Sequence, residues 1–140
     1  MFKFELGLFV AISSDPDLDS EKGLVKPTSF HIARKGYETL DVGSHEIGRF
    51  TFVPMPGCCG VVISTASYLA PNWRGKGNGN TFHQIKEGIA KKFGYSLMIA
   101  TVQTSNFPEI IGAANSNWKY IHSFRNKRTT NDIAVMVKDI

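Results

Sequence analysis

Cysteine is scarce here: the chain has only Cys58 and Cys59, and they are neighbours. A disulfide between adjacent residues is strained, so free thiols and the reducing cytoplasm that suits them are expected. Long apolar runs are missing too; none approaches the roughly 20 residues that span a bilayer. The N-terminal MFKFELGLFVAISSDPD lacks the ordered basic, apolar and small-residue zones of a secretion signal. A soluble intracellular protein without a membrane partner is therefore expected. The four histidines, His31, His45, His83 and His122, show no ligand spacing, and Cys58-Cys59 lacks the two-residue gap of a zinc or redox pair, so no metal site is assigned. No Gly-x-Ser-x-Gly elbow marks a serine nucleophile. Charge of either sign is modest: 16 Lys and Arg against 12 Asp and Glu leave +4. That favours anionic partners but falls short of a nucleic-acid-binding composition. The basic FRNKRTT reads as a solvated hairpin tip, with contact to nucleic-acid phosphates, helped by Trp73 and Lys76, as the lesser alternative.

What the chain does have is enough apolar material, 42% of 140 residues, for one sizeable core and a single domain. No repeat, low-complexity tract or linker divides it; SSDPDLDSEKG at 13–23 reads as an acidic loop within that domain. FKFELGLFVAI reads as one strand, alternating first and then continuously apolar. SFHIARKGYETLDVG reads as extended because Gly36 interrupts any helical stripe. HEIGRFTFVPM alternates until Pro54 and Pro56 end it, and CCGVVISTASYLA, rich in β-branched residues, reads as the central strand. Beyond residue 80 the period changes. Phe82, Ile85, Ile89 and Phe93 share one helical face, with Lys86, Glu87, Lys91 and Lys92 placed elsewhere around it and Gly94 as the stop. YSLMIATVQ follows as a buried strand, so residues 58–103 read as a βαβ unit with a right-handed crossover. Ser105 or Asn106 caps a short helix carrying Pro108, Ile110, Ile111, Ala113 and Ala114. WKYIHSFRN and NDIAVMVKD then form a hairpin through KRTT.

Between the central strand and the helix lies APNWRGKGNGNTF. A loop that leaves a buried strand and opens a helix presents unpaired N–H groups and about half a positive charge. Glycines at 75, 77 and 79 let a bulky anion approach the backbone, and Arg74 and Lys76 add charge. A glycine-rich hexamer alone is as readily a helix-capping turn; the order strand, loop, helix favours the anion site. The Walker pattern is missing its Gly-Lys-Ser/Thr ending. The dinucleotide fingerprint fails as well, because its third glycine would fall on Asn80 or Phe82.

The spacing that does fit is Arg-x-x-Gly-x-Gly, at Arg74, Gly77 and Gly79, preceded by Pro71 and Trp73. Here the sequence resembles the GNAT superfamily of acyl-CoA-dependent N-acyltransferases, well over about residues 58–138. Residues 1–57 match only in strand order, without the family's pair of N-terminal helices. The resemblance implies one α/β (α+β) domain: a central mixed, mostly antiparallel sheet with a splayed parallel strand pair and flanking helices. It also implies a site. Main-chain amides of Gly75, Lys76, Gly77, Asn78, Gly79 and Asn80, beside Arg74, would hold the pyrophosphate of acetyl-CoA. The backbone at Leu69 and the side chain of Asn106 would meet the pantetheine arm. An amine, carried by a small molecule or a protein, would attack the thioester directly, and a homodimer is compatible with this reading.

Two of the family's groups are replaced. The tyrosine that follows the asparagine by seven residues is Ala113 here, and the strand before the loop offers Ser64, Thr65, Ser67 and Tyr68 where a glutamate or histidine is common. Glu46 or Tyr68, acting through water, are the candidate catalytic groups. Two readings follow: an N-acetyltransferase moving acetyl from acetyl-CoA to a primary amine, or a binding or assembly module of the same fold with little catalysis.

Overall fold

The computed structural model describes residues 2–38, 46–106 and 116–140. Its N-terminal segment corrects the expectation of a single strand. The chain reverses at Gly7, so that β1 (Lys3–Leu6) and β2 (Phe9–Ser13) pair antiparallel, with Lys3 opposite Ile12 and Leu6 opposite Phe9. The acidic loop follows as expected, its turns closed by aspartate side chains: Asp15 accepts the Asp17 N–H and Asp19 accepts the Glu21 N–H.

The extended reading of the third segment holds over β3 (Thr28–Arg34), and β4 (Gly48–Pro54) ends at the expected proline. β5 (Val61–Leu69) is central, α1 (Asn78–Lys92) crosses over, and β6 (Leu97–Gln103) returns parallel to β5. The expected C-terminal hairpin is β7 (Lys119–Arg125) and β8 (Asp132–Asp139). Together the strands form one eight-stranded sheet in the order β1-β2-β3-β4-β5-β6-β8-β7, in which β5–β6 is the parallel pair. The short helix expected around Pro108 and Ala113, like His45, lies outside the described residues.

The core forms where α1 covers one face of this sheet. Alternation on β3 and β4 sends Phe30, Phe50 and Phe52 to that face, all fully buried, with Phe30 and Phe50 stacked at 5.2 Å. Phe82, Ile85, Ile89 and Phe93 meet them from the helix, and Val62, Met98 and Met136 fill the space over β5, β6 and β8. Each such side chain contributes about 1.5–3 kcal/mol through removal from water. One expectation about α1 fails. Lys86 is 3% exposed and lies on the apolar face rather than elsewhere around the helix: it stands one turn beyond Phe82 and nearly one turn before Ile89, which puts it on the apolar stripe itself. β6 is also less buried than expected; Met98 is enclosed, whereas Thr101 and Gln103 are exposed. Cys58 and Cys59 are exposed and unbridged. Among the described residues no helix is long and apolar enough to cross a membrane.

Candidate functional site

After Leu69 the chain makes one 3₁₀ turn, Pro71–Trp73, and enters the glycine run. Gly75 and Gly77 take φ of +74° and +77°, a region closed to most side chains, and Gly77 is the N-cap of α1. No side chain caps this helix and no acidic residue sits in its first turn. Its first N–H groups and the positive end of its dipole are therefore left for another acceptor. Space is available as well. A Cβ placed on Gly75, Gly77 or Gly79 would meet nothing among the described residues within 4 Å. The polar side chains around the loop are anchored to its flanks: Asn78 Nδ2 donates to the Trp73 carbonyl at 3.0 Å, and Asn80 Oδ1 accepts from Ser116 at 3.2 Å. Lys76 is exposed. Arg74 turns back, its Nε donating to the Leu69 carbonyl at 2.6 Å and its guanidinium lying 5.7 Å from the Tyr68 ring centre.

Beside the loop the parallel strands part. Pairing between β5 and β6 runs from Val61–Leu97 to Ser64–Ala100 and stops there, although β5 continues to Leu69 and β6 to Gln103. The local cause is a bulge in β5. Thr51 and Arg49 of β4 face Thr65 and Tyr68, so β5 spends one extra residue there, and Ala66 has φ of +53°. Bulges bend the strand that carries them and end pairing. This one also exchanges the faces of the strand: Ser67, rather than Tyr68, turns to the helix side.

The parting leaves a slot of about 310 Å³ whose walls include Ser64, Thr65, Ser67, Thr101, Gln103 and Asn106. Residues of both alternations line it, so the opening passes between the strands rather than along one face. Ser64 Oγ is buried there, and no hydrogen-bond partner among the described residues reaches it. An orphaned buried hydroxyl costs about 1–3 kcal/mol, which a ligand in the slot would recover. The unsatisfied hydroxyl of the slot and the open amides of the glycine run, which follows β5 in the chain, are groups that suit a molecule with a polar chain and an anionic head.

On the helix side of the slot stand His83 and Lys86, which the sequence reading did not assign to the site. The His83 imidazole is pushed down to about 4, chiefly by burial and then by the charges of Lys86 and Lys138; it is neutral near pH 7. Lys86 Nζ donates to Ser67 Oγ at 2.7 Å and lies 4.7 Å from the Phe82 ring centre. The available signal was a lysine on an apolar helical stripe. A buried ammonium needs partners to persist there.

The structure brings Glu46 and Tyr68 together, but away from the slot walls. Arg49 binds the Glu46 carboxylate and lies 4.5 Å over the Tyr68 ring. His31 Nδ1 is 2.7 Å from the other Glu46 oxygen. Glu46 borders a second cavity of about 550 Å³ with Arg34, Tyr37 and Trp73, next to the start of the glycine loop. The structure thus brings Leu69 and Arg74 into contact at the start of the glycine run and sets Asn106 on the wall of the slot, with Glu46 and Tyr68 together on the face of the sheet away from α1.

No protein-family model matches the sequence, and no curated protein matches it. Solved structures do. A chain described as a probable acetyltransferase of the GNAT family, from Chromobacterium violaceum, superposes with a TM-score of 0.75 over 98% of this chain and 85% of that one, at 10% identity. A chain from Salmonella typhimurium determined with its cofactor acetyl-CoA gives 0.63 over 81% and 64%, at 16% identity. Spermidine N-acetyltransferase from Vibrio cholerae, in complex with CoA and spermine, gives 0.65 over 82% and 66%, at 13% identity. At such identities the likeness is one of fold.

Proposed function

We propose that this chain, which has the GNAT fold, transfers an acetyl group from acetyl-CoA to a primary amine by direct attack. The observation that carries the reading is the gap between β5 and β6, which opens beside an uncapped, unobstructed glycine loop. The amides of Gly75 to Asn80 hold the diphosphate, with Lys76 and Arg74 adding charge. The main chain at Leu69, Asn106 and the Ser64 hydroxyl meet the chain that leads into the slot. Bound acetyl-CoA supplies an activated acyl carbon. This chain's residues hold that carbon where an amine can reach it, a positional gain that alone accounts for much of the rate in such reactions. Glu46, or Tyr68 beside it, takes the proton shed by the amine through water, from the face on which both stand. The acceptor is a small molecule or a protein carrying a primary amine, met in the cytoplasm, where the exposed thiols of Cys58 and Cys59 remain reduced.

Thermal melting with CoA and with acetyl-CoA tests the binding half of this reading. Ligand at 100 times its Kd stabilises by about 2.7 kcal/mol, and no shift with either at millimolar concentration would overturn the proposal. Turnover is then read as thiol release from acetyl-CoA with a panel of amines. Binding without release from any amine would leave a CoA-binding module in place of an enzyme.

A further inference from the structure

We propose that Ser67 is the proton donor to the departing sulfur and that Lys86 positions and charges it, a role that rests on the acetyltransferase reading above. Three observations converge. Ser67 is exposed at the wall of the slot, where the β5 bulge has turned it towards the helix. Directly behind it Lys86 is 3% exposed, and its ammonium donates to Ser67 Oγ at 2.7 Å. With that lone pair engaged, the Ser67 hydroxyl hydrogen is free to point away from Lys86 into the slot. A cation held in a low-dielectric floor also stabilises charge developing nearby more strongly than it would in water.

The step balances as follows. As the amine nitrogen bonds to the acyl carbon, the carbon–sulfur bond breaks and its electron pair goes to sulfur. Ser67 gives its hydroxyl proton to that sulfur and takes one from the Lys86 ammonium. Lys86 recovers its proton from water, and the amine's surplus proton leaves by way of water on the opposite face. The products are an amide and a free thiol.

Among the described residues, the titratable groups near Lys86 include one on its own helix and one on β8. His83 lies on its own helix, and Lys138 of β8 acts on His83 while tied to Glu87 at 2.7 Å. From β5 and β6 the slot presents Ser64, Ser67, Thr101 and Gln103, all uncharged.

Free CoA gives a readout that needs no turnover. In the wild-type complex the thiol, followed by the ultraviolet absorbance of the thiolate, is expected to ionise about one pH unit or more below that of CoA in solution. Lys86→Met should abolish this shift and weaken CoA at high pH, while desulfo-CoA binds Lys86→Met as tightly as wild type. Lys86→Arg should keep the shift. Ser67→Ala, with its fold checked by thermal melting because it takes an acceptor from the buried Lys86 ammonium, should lower kcat at least tenfold with the KM for acetyl-CoA unchanged. A wild-type complex whose thiol titrates as in solution, or a Lys86→Met complex with the shift intact, overturns the inference while CoA binding stands. Failure of wild type to bind CoA or desulfo-CoA overturns the underlying reading instead.

Discussion

The two halves of the β5–β6 pair divide the labour of the molecule. In the first half, Val61–Leu97 to Ser64–Ala100, the strands are hydrogen-bonded, and Val62 and Met98 are fully enclosed. In the second half the ladder is gone, the walls carry hydroxyls and amides, and a lysine and a histidine stand beneath them. The same two strands therefore supply closure and opening within about 20 Å of length. The zipped half makes the parted half rigid enough to be a site, since a slot between two loosely held strands would collapse onto itself.

Met98→Ala puts the comparison under the greatest load. It removes an enclosed side chain from the zipped half and should cost about 2–5 kcal/mol in chemical denaturation. Thr101→Ala, three residues on in the parted half, should stay within about 0.5 kcal/mol. Equal losses at both positions would erase the distinction.

Acid should reveal the opposite weakness, because the parted half contains the buried imidazole. His83 has a folded value of about 4 against an ordinary 6.5, so the unfolded chain binds the extra proton first. Stability is then complete above pH 6.5 and is lost as pH falls towards 4, by up to about 3 kcal/mol, with no further loss from this group below that. His83→Gln should flatten the pH profile of the melting temperature over this window. An unaltered profile would move the acid weakness elsewhere.

Gly48 sits where the β4 ladder meets the bulge. A Cβ there would lie 2.7 Å from the Tyr68 carbonyl oxygen and 2.9 Å from the Phe82 ring. The backbone oxygen cannot yield cheaply, so Gly48→Ala should cost about 1–3 kcal/mol. Neutrality in denaturation would show that the bulge absorbs the strain. The smallest effects belong to the loop. Gly77→Ala has room but must hold a left-handed φ, at about 1 kcal/mol; Gly79→Ala, inside α1 and equally unobstructed, should gain up to about 0.5–1 kcal/mol. Opposite signs in paired thermal melts check both.

The order of elements and the loop could be read before any coordinates because each rests on local rules: alternation for β3 and β4, a change of period at α1, glycines between a strand and a helix. The Gly7 reversal was legible too, yet two short alternating runs of the same chemistry look like one longer strand. Lys86 departs from the usual segregation of charge and apolar side chains around a helix, since its position falls on the stripe itself. The parting of β5 from β6 had only a faint signal. It depends on a bulge at Ala66, which carries no glycine or proline to mark it, and on hydrogen bonds to β4 that no single segment encodes. For the same reason the pairing of Ser67 with Lys86 could not be foreseen: strict alternation would turn Tyr68, not Ser67, towards the helix.

That extra residue sets the phase of everything after it in β5. Deleting Ala66 would return the strand to simple alternation with Ser67 still towards Lys86 and Tyr68 still opposite Arg49, so the one thing taken away would be the bend that parts β5 from β6. In this fold the room offered to a guest is thus governed by an insertion count, so variants differing in strand length by a single position are the ones in which the width of the opening should change.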